Sequence, residues 1–191
     1  MGRLVINNAV TVNGAFEAPS PAEWLVLDPD SNSVSLEQFL VADAMVLGRN
    51  TYEGLAAVWP QLVDDPTLGM FADRLNSMPK YVASRTLREP LAWNATLLKG
   101  DLAESVTALK DRHDGTLIVS GAGELAHGLA ALGLVDEFWF WVSPYLWATG
   151  PRIFDDLGPI PLQLIGSTTF PSGVLRLAYR PAPDQQDRVS D

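Results

Sequence analysis

Ala44-Met45-Val46-Leu47-Gly48-Arg49-Asn50-Thr51-Tyr52-Glu53 is the stretch on which the fold turns. Its first four residues are apolar on both faces, as in a strand buried inside a parallel sheet, and Gly48 ends the run. From Thr51 to Val58 the pattern becomes helical. A buried strand that runs through glycine into a helix is a unit of α/β architecture. The N–H groups at the start of such a helix lack partners and suit a phosphate. Arg49 adds a guanidinium that can fork onto the same group, and Thr51 adds a hydroxyl. Taken alone, the segment reads equally well as an ordinary strand-to-helix turn with a solvated arginine.

Upstream, Leu4 to Val12 is rich in β-branched residues and reads as a first strand, turned by Asn13-Gly14. Ala18 to Ser33 carries prolines and polar residues and reads as a long loop. Ser35 to Ala44 reads as a helix with Leu36, Phe39 and Leu40 on one face. Downstream, Met70–Asn76 is helical, and Lys80–Ser84 and Ala95–Leu98 are strands. Asp101 with Glu104 is a capping box for a further helix. Thr116–Val119 is a strand closed by Ser120-Gly121-Ala122-Gly123. The helix beyond it carries Leu125, Leu129 and Leu132 and stops at Gly133. Phe138–Val142 is a central strand, and Leu162–Thr169 with Val174–Tyr179 forms a terminal hairpin. The expected organisation is one domain over 1–180 and a polar tail over 181–191. Its class is α/β, in three α/β/α layers, with a mostly parallel mixed sheet and a C-terminal antiparallel hairpin.

Composition narrows the chemistry. Apolar residues make up 47% and charged residues 19% of 191, a globular balance. Thirteen basic against 23 acidic side chains give a net charge of −10, which opposes nucleic acid and anionic membranes as partners. There is no cysteine, so disulfides, thiolate metal sites and thiol nucleophiles are excluded. His113 and His127 are the only histidines, so no metal site is expected. No apolar run is long enough to span a membrane, and Met1-Gly2-Arg3-Leu4 has no signal-peptide pattern. The expected compartment is the cytoplasm.

Two further strand ends carry chemistry. Ser84-Arg85-Thr86 sets two hydroxyls around an arginine, a grouping that suits a ribose phosphate or simply a polar loop. Ser120-Gly121-Ala122-Gly123-Glu124-Leu125 puts two glycines before a helix, where a backbone can approach a pyrophosphate. It is not a full GxGxxG fingerprint, because Ala126 stands where the third glycine belongs. Open α/β sheets place ligands at strand ends of this kind.

In order and spacing, these segments resemble the dihydrofolate-reductase-like superfamily, in the branch of the riboflavin-biosynthesis reductase C-terminal domain (the bifunctional deaminase-reductase). Asp43 to Glu53 resembles its glycine–arginine–x–threonine segment. Ser84-Arg85-Thr86 resembles its serine–arginine segment at the cofactor 2′-phosphate, and Ser120 to Leu125 its pyrophosphate loop. Leu134-Val135-Asp136-Glu137, Pro144, Gly150 and Arg152-Ile153-Phe154 continue the match, which covers about Leu4 to Tyr179.

The resemblance implies an NADPH-dependent oxidoreductase, 5-amino-6-(5-phosphoribosylamino)uracil reductase-like or dihydrofolate-reductase-like. It would pass hydride to a small pteridine- or pyrimidine-like substrate. Gly48, Arg49, Thr51, Ser84, Arg85, Thr86, Gly121, Ala122, Gly123, Glu124 and Leu125 inherit the cofactor role. Asn13, Trp59 and Trp147 are candidates for the substrate side. Asn13 stands where relatives often carry an acid. No catalytic residue is assigned, and no Cys exists for a deaminase zinc motif.

A homodimer is expected, with Trp139 and Trp141 read as sheet packing or as a subunit interface. Other readings are a non-catalytic NADPH-binding protein and a hydrolase using Ser120, which lacks a credible base. His127 and His113 are expected on solvated helix surfaces, and Asp43 in a structural pairing. Asp28 and Asp30 are expected to be solvated and Glu37 to sit near a helix start. No acid is then placed as the proton donor that dihydrofolate reduction needs.

Overall fold

The computed structural model describes residues 1–16, 25–26, 28–155 and 157–183. Eight strands form one sheet in the order β4-β3-β2-β5-β1-β6-β8-β7. In chain order they are β1 Arg3–Thr11, β2 Ala42–Gly48, β3 Lys80–Ala83, β4 Ala95–Leu98, β5 Thr116–Ser120, β6 Glu137–Ser143, β7 Leu162–Thr169 and β8 Leu175–Pro181. The first six are parallel. β8 joins β6 antiparallel and β7 joins β8 antiparallel, which makes the C-terminal hairpin. The helices are α1 Pro29–Val41, α2 Arg49–Val58, α3 Gly69–Ser77, α4 Leu102–Arg112 and α5 Glu124–Ala131.

Strand alternation explains the three layers. Leu4, Ile6, Ala44, Val46, Leu117 and Val119 point to one face, where Val106 and Leu109 of α4 and Ala126 and Leu129 of α5 cover them. Met45, Leu47, Val82 and Ile118 point to the other, under Phe39 of α1, Tyr52 of α2 and Leu75 of α3. Because both faces are buried, β2 and β5 read as apolar runs without alternation.

Four expectations are corrected. The first helix begins at Pro29, not near Ser35, so the end of the expected loop is helical. Asp28 caps it by accepting the Ser31 N–H at 2.9 Å, and Pro29 occupies the first turn, where its missing N–H costs nothing. That helix stops at Val41, so Ala42 to Ala44 belong to β2. Leu132 is 52% exposed; the buried face of α5 is Ala126, Leu129 and Ala130. His127 is half-buried, and its Nε2 is enclosed without a partner among the described residues. The small Ala126 and Ala130 let α5 approach the sheet closely, which draws its neighbouring row inward. Residues 18–24 of the expected loop and 184–191 of the expected tail lie outside the described residues.

Asparagine and aspartate side chains stitch the layers. Trp141 donates its Nε1–H to Asn7 Oδ1 at 2.9 Å and stacks on Phe170, so the tryptophan pair packs the sheet. Asp43 accepts the Gly115 N–H at 2.9 Å and lies 3.5 Å from His113, the structural pairing expected of it. His113 is not fully solvated: it caps α4 and meets the Tyr81 hydroxyl at 3.1 Å. Its position at the foot of the sheet, between β2 and β3, covers it.

Lys80 is 1% exposed. Its ammonium donates to the carbonyls of Asn76 and Met78 at the end of α3 and lies 4.1 Å from the Trp93 ring centre. Burial, assisted by repulsion from Arg74, lowers its pKa from 10.5 to about 8. Between pH 8 and 10.5 the native state therefore binds fewer protons at this site than the unfolded chain, and stability rises with pH. Urea unfolding of wild type and Lys80→Met across that window should show the difference between them growing in wild type's favour, by up to about 3 kcal/mol. A constant difference would contradict the buried charge.

Candidate functional site

The ends of β2, β3, β4 and β5 face one cleft of about 920 Å³, at the upper end of the range for cofactor sites. Parallel pairing puts all four C-terminal ends on the same edge. From β2 come Gly48, Arg49, Asn50 and Thr51; from β3, Ala83, Ser84, Arg85 and Thr86. β4 gives Leu98 and Gly100, and β5 gives Ser120, Gly121, Ala122, Gly123, Glu124 and Leu125. All eleven residues singled out for a cofactor line this cleft.

The loops are tied to one another. Arg49 donates to Thr86 Oγ1 at 2.9 Å and pairs with Glu53 at 3.1 Å, which bridges the β2 and β3 ends. Ser84 Oγ accepts the N–H groups of Thr86 and Leu87, so it shapes its own turn. Gly48 faces α5, where an added Cβ would make an ordinary contact, 3.6 Å from the Leu125 Cβ. Gly121 has φ +95°, and a Cβ there would collide with the Thr51 hydroxyl. At Gly123, by contrast, a Cβ would meet nothing within 4 Å.

Both α2 and α5 open on a glycine, Gly48 and Gly123, with no side-chain cap. Their first N–H groups are left for something in the cleft, and both positive dipole ends point the same way. Glu124 is the only acid among the lining residues, against Arg49 and Arg85. With Glu53 paired to Arg49 just outside the lining, these charges balance, so the cleft is near neutral on a chain of net charge −10.

Several lining residues were not singled out from sequence. Leu98 ends β4, and Gly100, Leu102 and Ser105 follow it; the strand and the Asp101 cap were legible, but no residue there has a side chain that marks a binding role. Phe16 also lines the cleft, next to Ala15, which bridges to Arg152 across the chain.

The substrate-side candidates do not line this cleft. Asn13 is occupied by Trp147, giving to its carbonyl at 2.8 Å and accepting its N–H at 3.0 Å. Trp59 stacks on Phe71 over the α1–α3 core. Asp28, expected to be solvated, is engaged: Ser31 and Ser172 hydroxyls both donate to it, at 2.7 and 2.6 Å. Burial alone would raise its pKa, but these hydrogen bonds outweigh it and hold the carboxyl below 3.8. The link fastens the β7–β8 turn to the start of α1. Glu37 lies exposed in mid-helix rather than near the helix start. Among the described residues, no cluster of three His, Asp or Glu could hold a metal ion, and no helix is long and apolar enough to cross a membrane.

The fold is a dihydrofolate-reductase-like α/β architecture. The chain matches the RibD C-terminal domain model over residues 3–176 and belongs to that family. It is 29% identical over 180 residues to the uncharacterized protein YyaP of Bacillus subtilis (strain 168), covering 93% of this chain and 94% of that one. Among solved structures it resembles a putative riboflavin biosynthesis protein from Shewanella sp. PV-4, with a TM-score of 0.74, 20% identity, and 95% and 99% coverage. A pyrimidine reductase-like protein from Corynebacterium diphtheriae gives a TM-score of 0.67 at 14% identity, with 95% and 92% coverage. RibD of Acinetobacter baumannii gives 0.68 at 15%, the match spanning 96% of this chain and 59% of the longer one.

The two loop glycines should behave differently. Gly121→Ala adds left-handed strain and a clash and should cost about 1–3 kcal/mol in urea unfolding. Gly123→Val projects into open space and should stay within about 1 kcal/mol of wild type. Equal costs would contradict this account of the loop.

Proposed function

We propose that this chain is an NADPH-dependent reductase whose cleft holds the cofactor and whose substrate is a small pteridine- or pyrimidine-like ring. The observation that carries the reading is the meeting in one cleft of three loops far apart in sequence, which hold all eleven residues expected to bind the cofactor. Bound there, NADPH would supply the hydride. The uncapped starts of α2 and α5 suit a pyrophosphate, and the space beyond Gly123 leaves room for a close backbone approach. Arg85 and Arg49, with Ser84 and Thr86, form the cationic, hydroxyl-bearing side suited to a 2′-phosphate. The similarity to a putative riboflavin biosynthesis protein and to a pyrimidine reductase-like protein supports the ring class of the substrate.

The remaining chemistry is a proton, and dihydrofolate makes the strongest demand for one. Asp28 stands at the start of α1, but both its oxygens are taken and its carboxyl is held ionised. It does not line the cleft. Turnover of dihydrofolate at neutral pH should therefore fall below about 1 per second, under the ordinary enzyme range. Steady-state NADPH oxidation, with a panel of pterins and pyrimidines beside dihydrofolate, measures this; NADPH binding with no turnover on any of them would leave a binding protein.

Cofactor choice gives the second test. Arg85→Ala and Arg49→Ala should each weaken NADPH about tenfold to a hundredfold and change NADH little. The folded Gly123→Val variant should lose NADPH altogether. Calorimetry that shows equal losses for NADPH and NADH in the arginine variants would remove the 2′-phosphate role.

A further inference from the structure

Asn8 breaks an apolar row. Leu4, Ile6, Asn8 and Val10 share one face of β1, and the three aliphatic members are at most 5% exposed. Asn8 is itself only 7% exposed. Its Oδ1 accepts the N–H of Gly121 at 3.0 Å, while its Nδ2 is enclosed with no partner among the described residues. A buried amide donor without an acceptor costs stability, so a leucine would serve this row better if packing were the only requirement. What Asn8 has and leucine lacks is the bond to Gly121.

Gly121 is the first residue of the loop beyond β5, in the left-handed region, and Thr51 fills the space beside it. The loop is thus pinned on two sides, by Thr51 from α2 and by Asn8 from β1. With the Gly121 N–H held toward β1, the next backbone donors are those at the uncapped start of α5. We infer that Asn8 is a positioning residue: it acts through Gly121 to hold the glycine loop in the course that presents the α5 amides to a pyrophosphate.

This inference rests on the cofactor reading above, and the ligands are chosen to separate the two. NADPH and 2′-phospho-ADP-ribose contain the pyrophosphate; adenosine 2′-monophosphate contains the 2′-phosphate and adenine but no phosphate at the 5′ position. If wild type binds none of the three, the cofactor reading itself fails. If it binds them, Asn8→Leu should weaken NADPH and 2′-phospho-ADP-ribose by about tenfold and leave adenosine 2′-monophosphate unchanged. The variant's thermal midpoint should equal or exceed that of wild type. Asn8→Ala, which cannot overpack, should give the same split if Asn8→Leu does not fold. Equal loss of all three ligands, loss of NADPH alone, or no loss would each overturn the positioning role.

Discussion

Parallel pairing of β4, β3, β2 and β5 is the constraint on which the rest of this molecule depends. Parallel strands need crossovers, and all of them here except the β3–β4 connection carry helices, which cover both faces of the sheet. Every strand then delivers its end to one edge, and two strand ends run directly into helix starts. Backbone groups that cannot be satisfied within those helices gather where four loops meet. The capacity to take an anion is therefore a by-product of topology, sharpened by which side chains occupy the turns.

Those side chains are chiefly absent or small. Gly121 lets the β5 loop pass against Thr51 of α2, and Gly123 leaves open space in front of α5. Arg49 is restrained by Glu53 and Thr86, which limits the entropy it would lose on meeting a ligand. The cleft arginines act over a few ångströms, within a Debye length, so the acidic remainder of the surface does not cancel their contact with a bound group.

The buried polar contacts have a different task. Asn7, Asp28, Asp43 and Asp136 each take a hydrogen bond from a distant segment: Trp141, Ser172, Gly115 and Leu4 in turn. Each such bond adds modestly to stability, but leaving its partner unmet would cost more. They fix one register of loops and hairpin over an apolar sheet that could otherwise pack in several ways. Lys110, 6% exposed and 2.6 Å from Asp136, belongs to the same set.

By itself the sequence determined the elements and the three loops with chemistry in them, because apolar runs, glycines and caps are local signals. Ala44 to Leu47 has to be a buried strand, and Gly121 and Gly123 have to open a loop, whatever surrounds them. It also held the signal for the start of α1, an aspartate before a proline, in a stretch whose prolines and polar residues read as loop. Tertiary structure alone decided which of these segments meet. Asn8 reaches Gly121 across 113 positions, Asp28 reaches Ser172 across 144, and Trp147 closes on Asn13 across 134. Such contacts follow from strand order, and strand order follows from how crossovers pack, which no local window of residues contains. Trp59 makes the same point in reverse: its loop position fitted a cleft wall, but the packing of α3 gave it Phe71 instead.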